Sequence, residues 1–148
     1  ISSTRVRNAI KAGDLRLAER MLGRRYSILG KVVKGEGIGE KIGYPTANLD
    51  TDDQLLPPKG VYAARVKLDG KRFNGLLYIG ERPTFEGREM RIEVHILDFS
   101  GDIYGRWLEV EFVEMIRGER RFASAEELVR QLAQDEEIAR RILAGGTL

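Results

Sequence analysis

Between Tyr26 and Ile116 the chain repeats one pattern: a short run of strand formers, a turn, another short run, and no helical period in between. This succession constrains the fold more than any other feature. Parallel neighbours in a sheet need a crossover of a dozen or more residues, usually a helix, and no such segment separates these runs. "GVYAARVKL" and "FNGLLYIG" flank Asp69-Gly70, a dipeptide suited to the positive φ angles of a two-residue hairpin. In "MRIEVHILDF", Ile92, Val94 and Ile96 share one face, with Arg91, Glu93, His95 and Leu97 on the other. Ser100-Gly101-Asp102 supplies a turn, and "WLEVEFVEMI" alternates again, as "YSILGKVVKG" opens the series. The expectation is an antiparallel barrel.

Helices flank this region. Ser3 can cap a turn holding Val6, Ala9 and Ile10; after Gly13, Asp14 can cap a second helix carrying Leu15, Ala18 and Leu22, which Gly23 stops. Ser124 and Glu127 form a capping box for a helix to Leu143, with Leu128, Leu132, Ala139 and Ile142 as its apolar stripe and Gly145-Gly146 as its end. That helix is expected to pack on the barrel. A chain of 148 residues suffices for one domain with a core. It opens on Ile1 rather than methionine and is expected to be a piece of something longer.

Composition narrows the chemistry. No apolar run approaches the roughly 18 to 20 residues of a membrane span, and no signal-peptide pattern opens the chain. The absence of cysteine excludes disulfides and thiolate metal sites and fits a cytoplasmic home. His95 is the only histidine, so zinc is disfavoured and any metal should be hard and oxygen-bound, such as Mg²⁺. Residues 1–25 carry seven basic side chains against Asp14 and Glu19, a balance compatible with a solvated helical face or with nucleic-acid contact.

"KGEGIGEKIGYPTAN" sets Gly35, Gly37, Gly39 and Gly43 in one loop, where backbone N–H groups can wrap an anion. It matches neither a Walker loop nor GxGxxG, and a plain surface hairpin fits it as well. Thr46 and Asn48 offer a hydroxyl and an amide oxygen suited to Mg²⁺, while Lys41 offers a charge toward phosphates. The other reading of these residues is an Asx- or Thr-stabilised turn after Pro45. Glu93, opposite an apolar strand face, could accept a proton from a hydroxyl, or could pair with a cross-strand Arg or Lys.

Taken in order, "GEGIGEKIGYPTANL", "GVY" at 60–62, "IGERPTF" at 79–85, "EVHILDFSGDIYG" at 93–105 and "RGERRF" at 117–122 resemble the riboflavin kinases. The chain is most similar to the C-terminal kinase module of the bacterial bifunctional riboflavin kinase/FMN adenylyltransferases, from about Tyr26 to the last helix. "ISSTRVR" resembles the motif that closes the adenylyltransferase module of the same enzymes, so residues 1–24 are expected to be a helical remnant of that module and 25–148 the kinase domain. No adenylyl transfer is expected from this chain. The resemblance implies a six-stranded antiparallel Greek-key barrel and transfer of the ATP γ-phosphate to the ribityl 5′-hydroxyl of riboflavin, giving FMN and ADP. It implies Thr46 and Asn48 as holders of Mg²⁺ and nucleotide phosphates, Gly35 and Lys41 in the ATP loop, and Glu93 as base. Ile96, Asp98 and Tyr104 fall at nucleotide contacts; Arg117, Arg120 and Phe122 fall at the flavin loop. Nucleic acid and membrane are not expected partners. Two positions depart from the pattern: Glu40 stands where bacterial members usually have Arg, and Tyr78 where they have Asn.

Two other readings predict different behaviour. An OB-like barrel with a basic arm would bind single-stranded nucleic acid in a salt-dependent way and ignore flavin. A non-catalytic flavin-binding barrel would lose nothing on Glu93→Gln.

Overall fold

The computed structural model describes residues 3–35 and 43–145. Two helices, α1 (Ser3–Ala12) and α2 (Leu15–Leu22), precede six strands: β1 (Ser27–Val33), β2 (Ala47–Asp50), β3 (Gly60–Leu68), β4 (Lys71–Thr84), β5 (Gly87–Ile96) and β6 (Trp107–Gly118). Helix α3 (Ala125–Leu143) follows. The strands close a barrel in the order β1-β2-β5-β4-β3-β6, every pair antiparallel. β2 lies beside β5 instead of its successor β3, which makes strands β2 to β5 a Greek key. The expected barrel is present.

The Asp69-Gly70 hairpin forms as expected. Leu68 pairs with Lys71, and both turn residues take positive φ, 52° and 79°. The alternating faces of β5 and β6 put Ile92, Val94, Ile96, Leu108, Val110 and Phe112 into the barrel interior. β3 reads as a nearly continuous apolar run because both its faces are covered. Tyr62, Ala64 and Val66 point inward, while Val61 and Ala63 meet Ala139, Ile142 and Leu143 of α3. Leu97, just past β5, joins that outer layer and is buried.

Three local expectations differ. Spacing made "GYPTANLD" a turn throughout, yet Ala47–Asp50 is a strand, paired with β1 on one side and β5 on the other. It has one buried apolar residue, Leu49, so no period betrays it; the two neighbours make it a strand. Ser3 lies within α1 rather than before it. Ser124 is the N-cap of α3, accepting from Glu127 N at 3.2 Å, and Glu127 reaches back to Ala123 N instead of the cap's own. Gly37, Gly39, Glu40, Lys41 and Gly146 lie outside the described residues.

The N-terminal helices pack on the barrel. Ala9, Ile10 and Ala18 form a small core with Leu55 packed against it, and Tyr26 joins it to the main one. Tyr26 stacks on Phe112 with centroids 6.0 Å apart, and its hydroxyl donates to Leu55 O.

Candidate active site

The turn before β2 is held from β5. Pro45 has no N–H to place, and its carbonyl accepts a 2.7 Å hydrogen bond from His95 Nδ1, while the Tyr44 ring meets the imidazole edge-on at 5.7 Å. Thus the chain's one histidine anchors the turn. β2 then pairs with β5 so that Asn48 lies directly opposite Glu93. Thr46 Oγ1 donates to Glu93 Oε1 at 3.2 Å. Two segments 47 residues apart in sequence are brought together at one point.

Two cavities meet there. One, of about 400 Å³, is lined by Thr46, Glu93, Tyr78, Arg117, Arg120 and Phe122, among others. The second, of about 710 Å³, is lined by Thr46, Gly35, Asn48, Ile96, Tyr104 and the Phe99–Ile103 turn. Thr46 lines both, with Glu93 on the side of the smaller one.

Glu93 has a basic partner, but on its own strand. Arg91 presents Nε to Oε2 at 3.2 Å and Nη2 to Oε1 at 3.3 Å. Residues two apart on an extended strand point to one face, which puts the guanidinium beside the carboxylate.

The smaller cavity is walled by α3. Arg117, at the end of β6, grips the fully buried Asp135 with Nε at 2.9 and 3.1 Å and Nη2 at 2.9 Å, and Gln131 Nε2 adds a fourth contact at 2.9 Å. Arg120 bonds Gln131 Oε1 at 2.6 Å. The Phe122 ring lies within cation–π range of both arginines, 5.6 Å from the Arg117 guanidinium and 5.0 Å from that of Arg120. Tyr78 pairs with Glu93 across β4 and β5. Burial, with Asp135's charge adding to it, pushes the Tyr78 phenol well above its ordinary range. Burial also raises Tyr44, with Glu136 and Asp135 contributing. Both phenols therefore keep their protons at neutral pH and stand as hydroxyl groups in the cavity wall.

Not every expected residue comes to this place. Asp98 sits at φ 56° beyond β5 and receives both terminal nitrogens of Arg140, each at 2.9 Å; that contact holds its carboxyl below the usual range. It ties α3 to the barrel and is not among the residues lining either cavity. Lys41 is not described. Tyr104 is half exposed beside the larger cavity, with the Lys34 ammonium 5.7 Å from its ring centroid. Sequence reasoning missed Arg91, Tyr44 and Asp135. The last left a signal: an acid continuing the 4-3-4-3 spacing of Leu128, Leu132, Ala139 and Ile142 on the buried stripe.

The oxygen donors suit a hard cation. Thr46 and Asn48 supply a hydroxyl and an amide. A Cβ on Gly35 would lie 1.8 Å from Asn48 Nδ2, so only glycine lets the backbone close over that amide. Among the described residues no cluster of three or more acidic or imidazole side chains forms a metal cage. This donor set fits a metal that also takes oxygens from substrate phosphates and water.

Comparison with known proteins bears on this geometry. Residues 22–143 match the family model described as riboflavin kinase (flavokinase). The bifunctional riboflavin kinase/FMN adenylyltransferase of Haemophilus influenzae is 47% identical over 141 residues, covering 95% of this chain and 46% of that protein. The chain thus spans about half the length of the curated relatives it matches. A Streptococcus pneumoniae structure described as a macrolide-efflux protein aligns with TM-score 0.88 at 42% identity, covering 95% of this chain and 46% of that one. The riboflavin kinase of Trypanosoma brucei aligns with TM-score 0.58 at 25% identity, covering 80% and 76%. Among the described residues no helix is long and apolar enough to cross a membrane.

Proposed function

The chain belongs to the riboflavin kinase family, and from that premise we propose that it moves the γ-phosphate of ATP to the ribityl 5′-hydroxyl of riboflavin, giving FMN and ADP. One observation carries the reading: Thr46 lines both cavities and its hydroxyl bonds Glu93. A nucleotide in the larger cavity and a flavin in the smaller would meet at these two residues.

Gly35, Ile96 and Tyr104 would receive the nucleotide, with Lys41 from the loop beside them. Arg120 and Phe122 would face the flavin, an aromatic ring against its ring system and a cation toward the phosphate of the FMN product. Arg117, spent on Asp135, would shape that wall more than touch the ligand. Asp98 would act through α3. Glu93 would take the proton of the ribityl hydroxyl as its oxygen bonds the γ-phosphorus and the bond to the β–γ bridging oxygen breaks. Thr46 and Asn48 would hold Mg²⁺, which supplies charge neutralisation to the phosphates. Holding donor and acceptor in line contributes much of the acceleration in such transfers. Residues 1–24 fit the reading as the end of an adenylyltransferase module.

The test is incubation with riboflavin, ATP and Mg²⁺, followed by chromatography. FMN should form, should stop on chelation of the metal, and should resume when Mg²⁺ is restored. Folded protein that yields no FMN above a protein-free control overturns the proposal.

A further inference from the structure

Glu93 can work as a base only if its carboxylate is held in one plane, and Thr46 alone is a poor anchor for it. A single hydroxyl fixes one oxygen and leaves the group free to turn. Arg91 adds a two-point grip, Nε on Oε2 at 3.2 Å and Nη2 on Oε1 at 3.3 Å, which fixes both oxygens and hence the plane. The pair is half-buried, the Arg91 and Glu93 side chains being 30% and 19% exposed, and both residues line the smaller cavity. The opposite face of β5, with Ile92 and Val94 inside the barrel, accounts for the strand's folding without Arg91.

We propose that Arg91 is the positioning residue for Glu93. This rests on the reading of Glu93 as the base. Arg91 acts through that carboxylate, which its Nε and Nη2 both meet. A lysine would supply a point charge without the fork and would not fix the plane.

Steady-state kinetics on Arg91→Ala, Arg91→Lys, Glu93→Gln and the Arg91→Ala/Glu93→Gln double variant test it. Arg91→Ala should lower kcat by about 10- to 100-fold, the size of effect seen when an orienting partner is removed from a functional group. KM for riboflavin and ATP should stay within about two-fold, and added guanidinium ion should restore part of the rate. Arg91→Lys should recover little, and it also serves if the alanine variant does not fold. In the Glu93→Gln background Arg91→Ala should cost nothing further, because the two act as one unit. An unchanged kcat in both Arg91 variants, a rise in KM with kcat intact, or equal losses with and without Glu93 overturns the proposal. Full turnover by Glu93→Gln overturns it differently, by removing the base reading itself.

Discussion

Thr46 is where the geometry is most concentrated. Its hydroxyl proton goes to Glu93 while its lone pairs remain for a metal, so one side chain can link the metal seat to the base. Thr46→Val keeps the shape and removes both functions. It should lower kcat by roughly 10²-fold or more, the scale of acid–base assistance, and should raise the Mg²⁺ concentration needed for half-maximal rate. Steady-state kinetics over a metal titration check this; an unchanged metal requirement would detach Thr46 from the metal. Thr46, Asn48 and Glu93 could be singled out in the sequence because hydroxyl, amide and carboxylate groups at such spacings are chemically suggestive. Their meeting could not be read there, because it depends on β2 pairing with β5. Arg91 shares a face with Glu93 in the alternation, but which cation the carboxylate takes depends on what the neighbouring strands bring, so the pair could not be read there.

At the scale of elements, α3 does two things: it covers β3 and β4 with Ala139, Ile142 and Leu143, and it carries the buried acid that fixes Arg117. Removing one partner of such a pair leaves a charge without its complement. Asp135→Ala should therefore cost about 3 kcal/mol, the lower part of the range for broken buried pairs because Arg117 retains some exposure. Urea unfolding measures it, and riboflavin affinity should fall in the same variant as Arg117 and Phe122 lose their seat. Ser124→Ala, which removes only the cap, should cost about 1 kcal/mol and leave affinity alone. The cap and stripe of α3 were legible because both are local periodic signals. For Asp135 only its place on that stripe was legible; an acid on a helix ordinarily faces water, and its burial follows from Arg117 arriving off a strand 18 residues earlier. β2 was illegible for the same kind of reason: four residues with one buried side chain become a strand only between two partners.

For the whole molecule, closure buries phenols as well as aliphatic groups. Burial raises Tyr26 and Tyr78 above the ordinary phenol value of 10.0 and pushes Tyr62 up to about 12. A group whose folded pKa is raised contributes stability that is complete below its unfolded pKa and is lost as pH rises through the folded one. Thermal stability should therefore hold to about pH 10 and fall between 10 and 12, with tyrosinate absorbance appearing alongside unfolding. Melting curves across that range check it, and Tyr78→Phe should flatten the decline. Hairpins and alternation revealed an antiparallel barrel in the sequence, since each is written within about twenty residues. The closing order, with β6 between β3 and β1, was not written locally, because strands far apart in the chain carry no mark of their partner. The seating of α1 and α2 through Tyr26 and Leu55 is long-range in the same way.

Incubation with riboflavin, Mg²⁺ and ATP labelled on its γ-phosphate most directly tests whether the two cavities sharing Thr46 form one phosphoryl-transfer site. Label should appear in FMN at one phosphate per flavin, and Glu93→Gln should bind both substrates yet transfer roughly 10² to 10⁴ times more slowly. Label released only as inorganic phosphate with riboflavin unchanged, or FMN made equally fast by Glu93→Gln, would contradict it.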